Sequence, residues 1–319
     1  MFRWLSNTPG VFVNKQALPY VTFVAFLFGS TLVASRFAVG QFSPTTYIGL
    51  RLFMASLAHV LVYLALSAHK IPRNGRLWGH ALVLGLFGTA IPITAVDLSL
   101  QYLSSGVAAI LVTTSPAIMI VLAHFFLPDE GLTWTKLVGV LLALFGTALL
   151  AGTGESGIPQ IERANPLGYL LMMVAIVLGS SAAVYIRKYL MGYDSFDVAS
   201  LRMFVAATAV LPLSLLLVGF DLSAVTTEGY VVLIYAAIVG TFGGMLLSVY
   251  NIKRFGTTAA VIATYMVPIV TVVCGALFLH EQITPVMVMG MGLIFLGVAV
   301  VNRVPVQLRQ MKADSVVGD

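Results

Sequence analysis

The chain has 319 residues, 59% of them hydrophobic and 9% charged, with 17 Lys and Arg against 12 Asp and Glu. A water-soluble domain carries roughly a quarter charged residues, so this chain cannot clothe a soluble surface of its size. The net charge of +5 is gathered in short segments between apolar runs, which excludes a nucleic-acid surface and reads as membrane topology. The one cysteine, Cys274, lies inside an apolar run, so no intrachain disulfide can form.

In chain order, the opening MFRWLSNTPGVFVNKQ lacks the apolar stretch and cleavage site of a signal peptide, and residues 1–17 are expected to form a cytoplasmic arm. A membrane-crossing helix needs about 20 mostly apolar residues, because lipid offers no partner to an unbonded backbone group. Ten such runs follow, at roughly 18–40, 45–68, 77–101, 105–127, 132–151, 166–188, 196–218, 229–252, 257–279 and 283–302. Turn residues and charges separate them, among them Pro44, the run from Lys70 to Arg76, Pro128 to Gly131, and the Gly/Glu/Pro stretch after residue 151. With the N-terminus cytoplasmic, the inner segments collect thirteen of the 17 basic residues and the outer loops only Arg163, while Arg36, Arg51 and Arg202 fall within spans. That bias predicts both termini inside.

The two halves resemble each other at an offset of about 150. Pro116 matches Pro268, Phe126 matches Phe278, Gly88-Thr89 matches Gly240-Thr241, Leu50-Arg51 matches Leu201-Arg202, and Gly139 and Gly146 match Gly290 and Gly297. The expected organisation is a five-helix repeat at 18–151, a connecting loop at 152–165, a second repeat at 166–302 and a cytoplasmic tail at 303–319. Five spans is an odd number, so the second repeat should be inverted relative to the first. The predicted fold class is therefore an all-α membrane protein of ten transmembrane helices in two inverted five-helix repeats, an architecture of transporters that work by alternating access.

Several stretches carry a family likeness: Phe28-Gly29-Ser30 with Leu50-Arg51-Leu52-Phe53, Tyr102 through Pro116 with Glu130 and Leu132-Thr133, and the copy of that block from Gly256 through Pro268 to Glu281 and Ile283-Thr284. On these the chain resembles the ten-helix, EamA-type members of the drug/metabolite transporter superfamily over about residues 18–302. It departs from them at Phe28, where the family often has Trp, and at Asp129-Glu130 and His280-Glu281, where the family has Gly-Glu. The resemblance implies export or exchange of small metabolites such as amino acids, amines or drug-like cations. It also implies a cavity lined by spans 1–4 and 6–9, and placement in a bacterial inner membrane.

Asp97 is the one carboxylate well inside a span, and burial there marks either a substrate-amine or proton site or a structural ion pair with Arg36 or Arg51 at similar depth. Thr94, Asp97 and Gln101 follow helical spacing and are predicted to share a face. Arg51 and Arg202 are mirrored, and snorkelling or helix-end capping is the expectation for them, as structural charges with Arg36. Pro116 and Pro268 cannot donate to the carbonyls of Val112 and Thr264, which predicts kinks near the midplane with Thr113 and Tyr265 lining a cavity. Gly88-Thr89 and Gly240-Thr241 interrupt spans 3 and 8 as hinges, and Ser248 continues a small polar stripe from Thr241. Ser30 and Ser180 hold matching midplane places. The glycines Gly139, Gly146, Gly290 and Gly297 give two spans smooth stripes for close contact, within the chain or in a homodimer.

No Walker loop, dinucleotide fingerprint, GxSxG or HExxH is present, and no His or Cys pair has metal-ligand spacing. No enzyme activity, cofactor or metal is expected. The functional expectation is secondary transport of a small molecule across the lipid bilayer, with proton or counter-substrate coupling. Exchange of phosphorylated or nucleotide-linked metabolites, and a membrane scaffold, sensor or intramembrane enzyme, are the alternatives.

Overall fold

The computed structural model describes residues 16–65, 71–128, 130–219, 221–255 and 257–302. Most of the predicted arm and all of the predicted tail lie outside these residues, as do Arg3, Lys15, Lys70, Arg303, Arg309 and Lys312 of the topology argument. All regular structure among the described residues is helical. The first repeat holds α1 (Leu18–Ala38), α2 (Pro44–Ala65), α3 (the consecutive segments Gly75–Gly85, Leu86–Ala90 and Ile91–Ser99), α4 (Ser105–Val112 and Ser115–Phe126) and α5 (Trp134–Thr153). The second holds α6 (Pro166–Tyr189), α7 (Ser195–Leu217), α8 (Thr227–Ile234, Tyr235–Gly243 and Gly244–Phe255), α9 (Thr257–Leu279) and α10 (Pro285–Asn302). Eight of these helices are long and apolar enough to cross a membrane, and Ala263–Leu279 and Pro285–Val301 are shorter apolar helices.

Local chemistry sets the helix starts. The side chains of Asn74, Ser104, Thr133, Asn165, Asp194 and Thr226 each accept from backbone N–H groups of the first turn that follows them. Those donors have no partner inside the helix, so a short oxygen-bearing side chain at the boundary stabilises the start. Pro44, Pro166 and Pro285 occupy first helical positions, where a missing N–H costs nothing.

The two halves share an unusual feature. Leu86–Ala90 in α3 and Tyr235–Gly243 in α8 are π-helical. A π turn carries an extra residue and leaves local hydrogen bonds to be made up. The matched threonines do so: Thr89 Oγ1 donates to Leu84 O at 3.1 Å and Thr241 Oγ1 to Ala236 O at 2.8 Å. Gly88 and Gly240 allow neighbouring helices close to these turns, since a Cβ at Gly88 would strike Ala182 of α6 and one at Gly240 would strike Thr31 of α1.

The mirrored prolines behave differently. Helix α4 breaks at Thr113 and Thr114, whose N–H groups bond back three residues to Ile110 O and Leu111 O, and Pro116 opens the second segment. Helix α9 runs through Pro268 without interruption. The hydroxyls of Thr113, Thr114 and Ser115 satisfy the carbonyls of Ile110, Leu111 and Val112 at 2.5, 2.7 and 2.6 Å. In α9 the corresponding residues are Tyr265, Met266 and Val267, which have no short hydroxyl for that task. The first repeat's helix is thus interrupted at its proline, while α9 continues through Pro268. The placement of Gln101 is corrected: α3 ends at Ser99, so Gln101 lies in the turn beyond it rather than on the face of Thr94 and Asp97.

Helices α5 and α10 pack glycine to glycine. Gly139 lies against Gly297 and Gly146 against Gly290, so low numbers meet high numbers and the two helices run antiparallel. These smooth stripes meet each other within one chain. One core cluster gathers Leu103, Ile110, Leu111, Leu150, Met172 and Met287, and a second gathers Tyr47, Ile48, Leu52, Met203 and Leu233. Large apolar side chains also cover the perimeter, among them Leu216 at 83% and Phe125 at 74% exposure, as lipid-facing positions require. The segment 152–165 is bonded at both sides: Ser104 N donates to Ser156 O, Gln282 N to Gly157 O, and Thr284 Oγ1 to Glu155 Oε2 at 2.6 Å.

Candidate functional site

Four helices bring one buried polar cluster together. Asp97 near the end of α3 is 2% exposed, and its Oδ2 lies 3.8 Å from Nη1 of Arg51 on α2. The same Nη1 donates to Ser35 Oγ of α1 at 3.0 Å, and Arg51 Nε donates to Thr241 Oγ1 of α8 at 2.8 Å. Arg51 thus ties α1, α3 and α8 to α2. Arg36 does not take the carboxylate. Tyr47 lies one turn before Arg51, and its hydroxyl and Asp97 Oδ1 are both buried without a hydrogen-bond partner. An acceptor of formal negative charge and a hydroxyl thus lie buried beside Arg51 and Ser35, neither with a hydrogen bond of its own. Buried polar groups are nearly always satisfied, so two such groups together are a place for a further ligand or proton.

The second repeat copies half of this arrangement. Arg202 on α7 donates from Nε to Thr89 Oγ1 at 2.9 Å and from Nη2 to Gly88 O at 3.2 Å. Arg51 with Thr241 and Arg202 with Thr89 are thus mirrored pairs, and each links one repeat to the other. Each arginine closes on a π turn. The carboxylate belongs to the first half alone.

The remaining sequence-selected residues scatter around these clusters. Ser30 Oγ shares a hydrogen bond of 2.7 Å with Tyr235 OH and donates to Phe26 O. Ser180 Oγ donates across to Ser115 O at 3.2 Å, at the break in α4. Thr113 is buried and bonded within its own helix, and Tyr265 is half-buried against the Phe295 ring at 5.5 Å. Thr94 and Ser248 are half-buried. Pro268 is buried in α9. Two mirrored apolar crevices flank the bundle. One of ≈ 430 Å³ between α1 and α8 is lined by Phe23, Leu27, Val239, Gly243 and Tyr250, and one of ≈ 90 Å³ between α3 and α6 is lined by Leu84, Phe87, Gly88 and Leu178. Neither reaches Asp97.

Sequence reasoning passed over Ser35 and Tyr47. Tyr47 stands four residues before Arg51, so helical spacing alone could have joined them. His59 is buried, its Nδ1 shares a 3.0 Å hydrogen bond with Ser200 Oγ, and its ring lies 4.9 Å from Phe242. Among the described residues no group of three His, Cys, Asp or Glu could hold a metal.

An inner membrane transporter of Escherichia coli K12, YedA, itself uncharacterised, is 26% identical over 279 residues, 86% of this chain and 87% of its own length. A probable amino-acid metabolite efflux pump of the same organism is 23% identical over 282 residues, 86% of this chain and 90% of its own. A solved crystal structure at 19% identity superposes with a TM-score of 0.63, over 90% of this chain and 98% of that one, and shares the fold. The model of the EamA-like transporter family matches twice, at residues 16–152 and 166–303, which are the two repeats seen in the helices. Two such repeats of apolar helices joined across buried arginines place the chain in a bilayer as a multi-pass protein, and it belongs to the EamA-like transporter family.

Proposed function

We propose that this protein is a secondary exporter of a small amine or amino-acid metabolite, working by alternating access between two inverted repeats. One observation carries the reading: a lone, unmirrored carboxylate, Asp97, is buried beside Arg51 with one oxygen left open. Asp97 offers an ammonium group a counter-charge, and Arg51 offers a carboxylate a cationic donor. A zwitterion presents both groups at once. The antiparallel register of α5 on α10 supports the inversion, because an in-plane two-fold axis exchanges Gly139 with Gly290 and Gly146 with Gly297. The arginines do not converge on one place, since Arg51 and Arg202 close on different threonines, which disfavours a phosphate exchanger.

Substrate reaches Asp97 when the helices around it part. Thr89, Thr94, Thr241, Ser248, Ser30 and Ser180 are the polar groups placed to line its path, with Thr113 and Tyr265 beside the prolines. Gly88, Gly240, Pro116 and Pro268 mark the segments that bend. The likeness to an inner membrane transporter supports a bacterial inner membrane, and the basic residues argue that both termini are cytoplasmic.

The test is efflux of a ¹⁴C-labelled L-amino-acid mixture from proteoliposomes at several pH values. The wild type is expected to release label above empty liposomes. Asp97→Asn is expected to lose most of that flux and whatever pH dependence it has. Wild-type flux in Asp97→Asn, with the same pH profile, would remove the carboxylate from the mechanism.

A further inference from the structure

The carboxylates that follow α4 and α9, Glu130 and Glu281, hold matching places in the two halves but have different partners. Glu281 accepts from Ser105 N at 2.7 Å, Ser105 Oγ at 2.8 Å and Gly106 N at 3.2 Å. These N–H groups belong to the first turn of α4, where donors lack helical partners and the helix dipole favours an anion. The contact ties the end of α9 in one repeat to the start of α4 in the other. Around it, Gly106 packs on Val272 and Met287, and Gly275 on Ser105. One mouth of the bundle is sealed there.

At the far end of α4, Glu130 does something else. Its Oε1 accepts from Arg187 Nη1 at 2.6 Å, and its Oε2 lies 3.5 Å from Lys136 Nζ. Arg187 stands in the last turn of α6, as Arg36 stands in the last turn of α1. Arg36 is within electrostatic reach of Glu281 but forms no ion pair with it among the described residues.

We propose that Glu281 and Glu130 are paired gate residues at opposite mouths of the bundle. Glu281 sits on the first turn of α4 when its mouth is shut and on Arg36 at the end of α1 when it is open, and Glu130 sits on Arg187 at the end of α6 when the opposite mouth is open. The structure has the Glu281 mouth shut and Glu130 withdrawn onto Arg187. Both positions are charge-assisted, so the exchange trades bonds of similar strength and leaves the two states close in energy. The inference rests on the alternating-access reading and supplies the residues that lock each state.

The test uses the full chain in proteoliposomes, with Cys274→Ala and a reporter pair, Gly106→Cys with Val272→Cys. A Cβ at Gly106 lies 3.1 Å from Val272 Cγ2 and 3.7 Å from its Cα, within disulfide reach. The rate of oxidative cross-linking reads how much of the protein has this mouth shut. Glu281→Ala removes all three hydrogen bonds to the start of α4 and is expected to slow it by about tenfold or more. Glu281→Gln, which keeps size and one acceptor, is expected to slow it less. Arg187→Ala is expected to slow it too, by releasing Glu130. Arg36→Ala is expected to speed it, by removing the open-state partner of Glu281. A merely structural role would not give opposite signs for Arg36 and Arg187. An unchanged rate in Glu281→Ala, or the same direction for Arg36→Ala and Glu281→Ala, overturns the proposal. Labelled amino-acid efflux after oxidation separates the two levels. Flux through the cross-linked protein sinks alternating access itself. Flux blocked by oxidation together with an unmoved rate in Glu281→Ala sinks only the switch.

Discussion

Arg51 touches Ser35, Asp97 and Thr241, each from a different helix, and that makes it the side chain on which most of the buried electrostatics turns. Removing one partner of a buried ion pair leaves the other charge without compensation, at a cost of about 3–5 kcal/mol. Arg51→Ala is therefore expected to lower thermal stability in detergent sharply. The double variant Arg51→Ala with Asp97→Asn is expected to recover part of the loss, because no bare charge remains. A double variant as unstable as Arg51→Ala alone would show that the arginine acts through Thr241 and Ser35. Asp97 was legible in the sequence, since a lone carboxylate within an apolar run stands out. Its partner was not, because Arg36 and Arg51 lie at similar depth and only the rotation of α1 against α2 separates them.

At the scale of the element, the π turns of α3 and α8 are where each repeat grips the other. Thr241→Val removes the donor to Ala236 O and the acceptor for Arg51 Nε together, at about 1–3 kcal/mol for groups left unsatisfied in the core. Thr89→Val is expected to cost a similar amount through Leu84 O and Arg202, so comparable melting-temperature losses in both are the check. Glycines in these helices divide by what surrounds them. Gly240→Ala forces a methyl into Thr31 and is expected to destabilise by about 1–3 kcal/mol. Gly179→Ala in α6 meets nothing within 4 Å and is expected to be neutral or to stabilise by up to about 1 kcal/mol, the ordinary helix-propensity gain. Equal melting temperatures in these two variants would contradict the packing. The sequence flagged Gly88-Thr89 and Gly240-Thr241 as interruptions, yet π geometry is not written in residue types. It arises from how a wide turn meets Ala182 or Thr31 on a neighbour.

Across the whole molecule, the peripheral pair α5 and α10 joins the two repeats through glycines that leave no room for a side chain. Gly146→Leu would collide with Gly290, Leu293 and Ile294, so the expected result is a large drop in melting temperature. Light scattering in detergent should find the same oligomeric state in the variant and the wild type. A shift in oligomeric state would mean that this face serves a second copy.

The chain by itself determined the ten apolar helices, their division into two repeats and the mirrored prolines, glycines, threonines and arginines. Lipid leaves backbone groups no partner except their own helix, so spans must appear in the sequence as long apolar runs. Tertiary structure alone decided which arginine meets Asp97, that α4 breaks while α9 does not, and which glutamate caps a helix and which pairs with an arginine. Those outcomes depend on angstrom-scale choices among similar partners, and the sequence holds every candidate without ranking them.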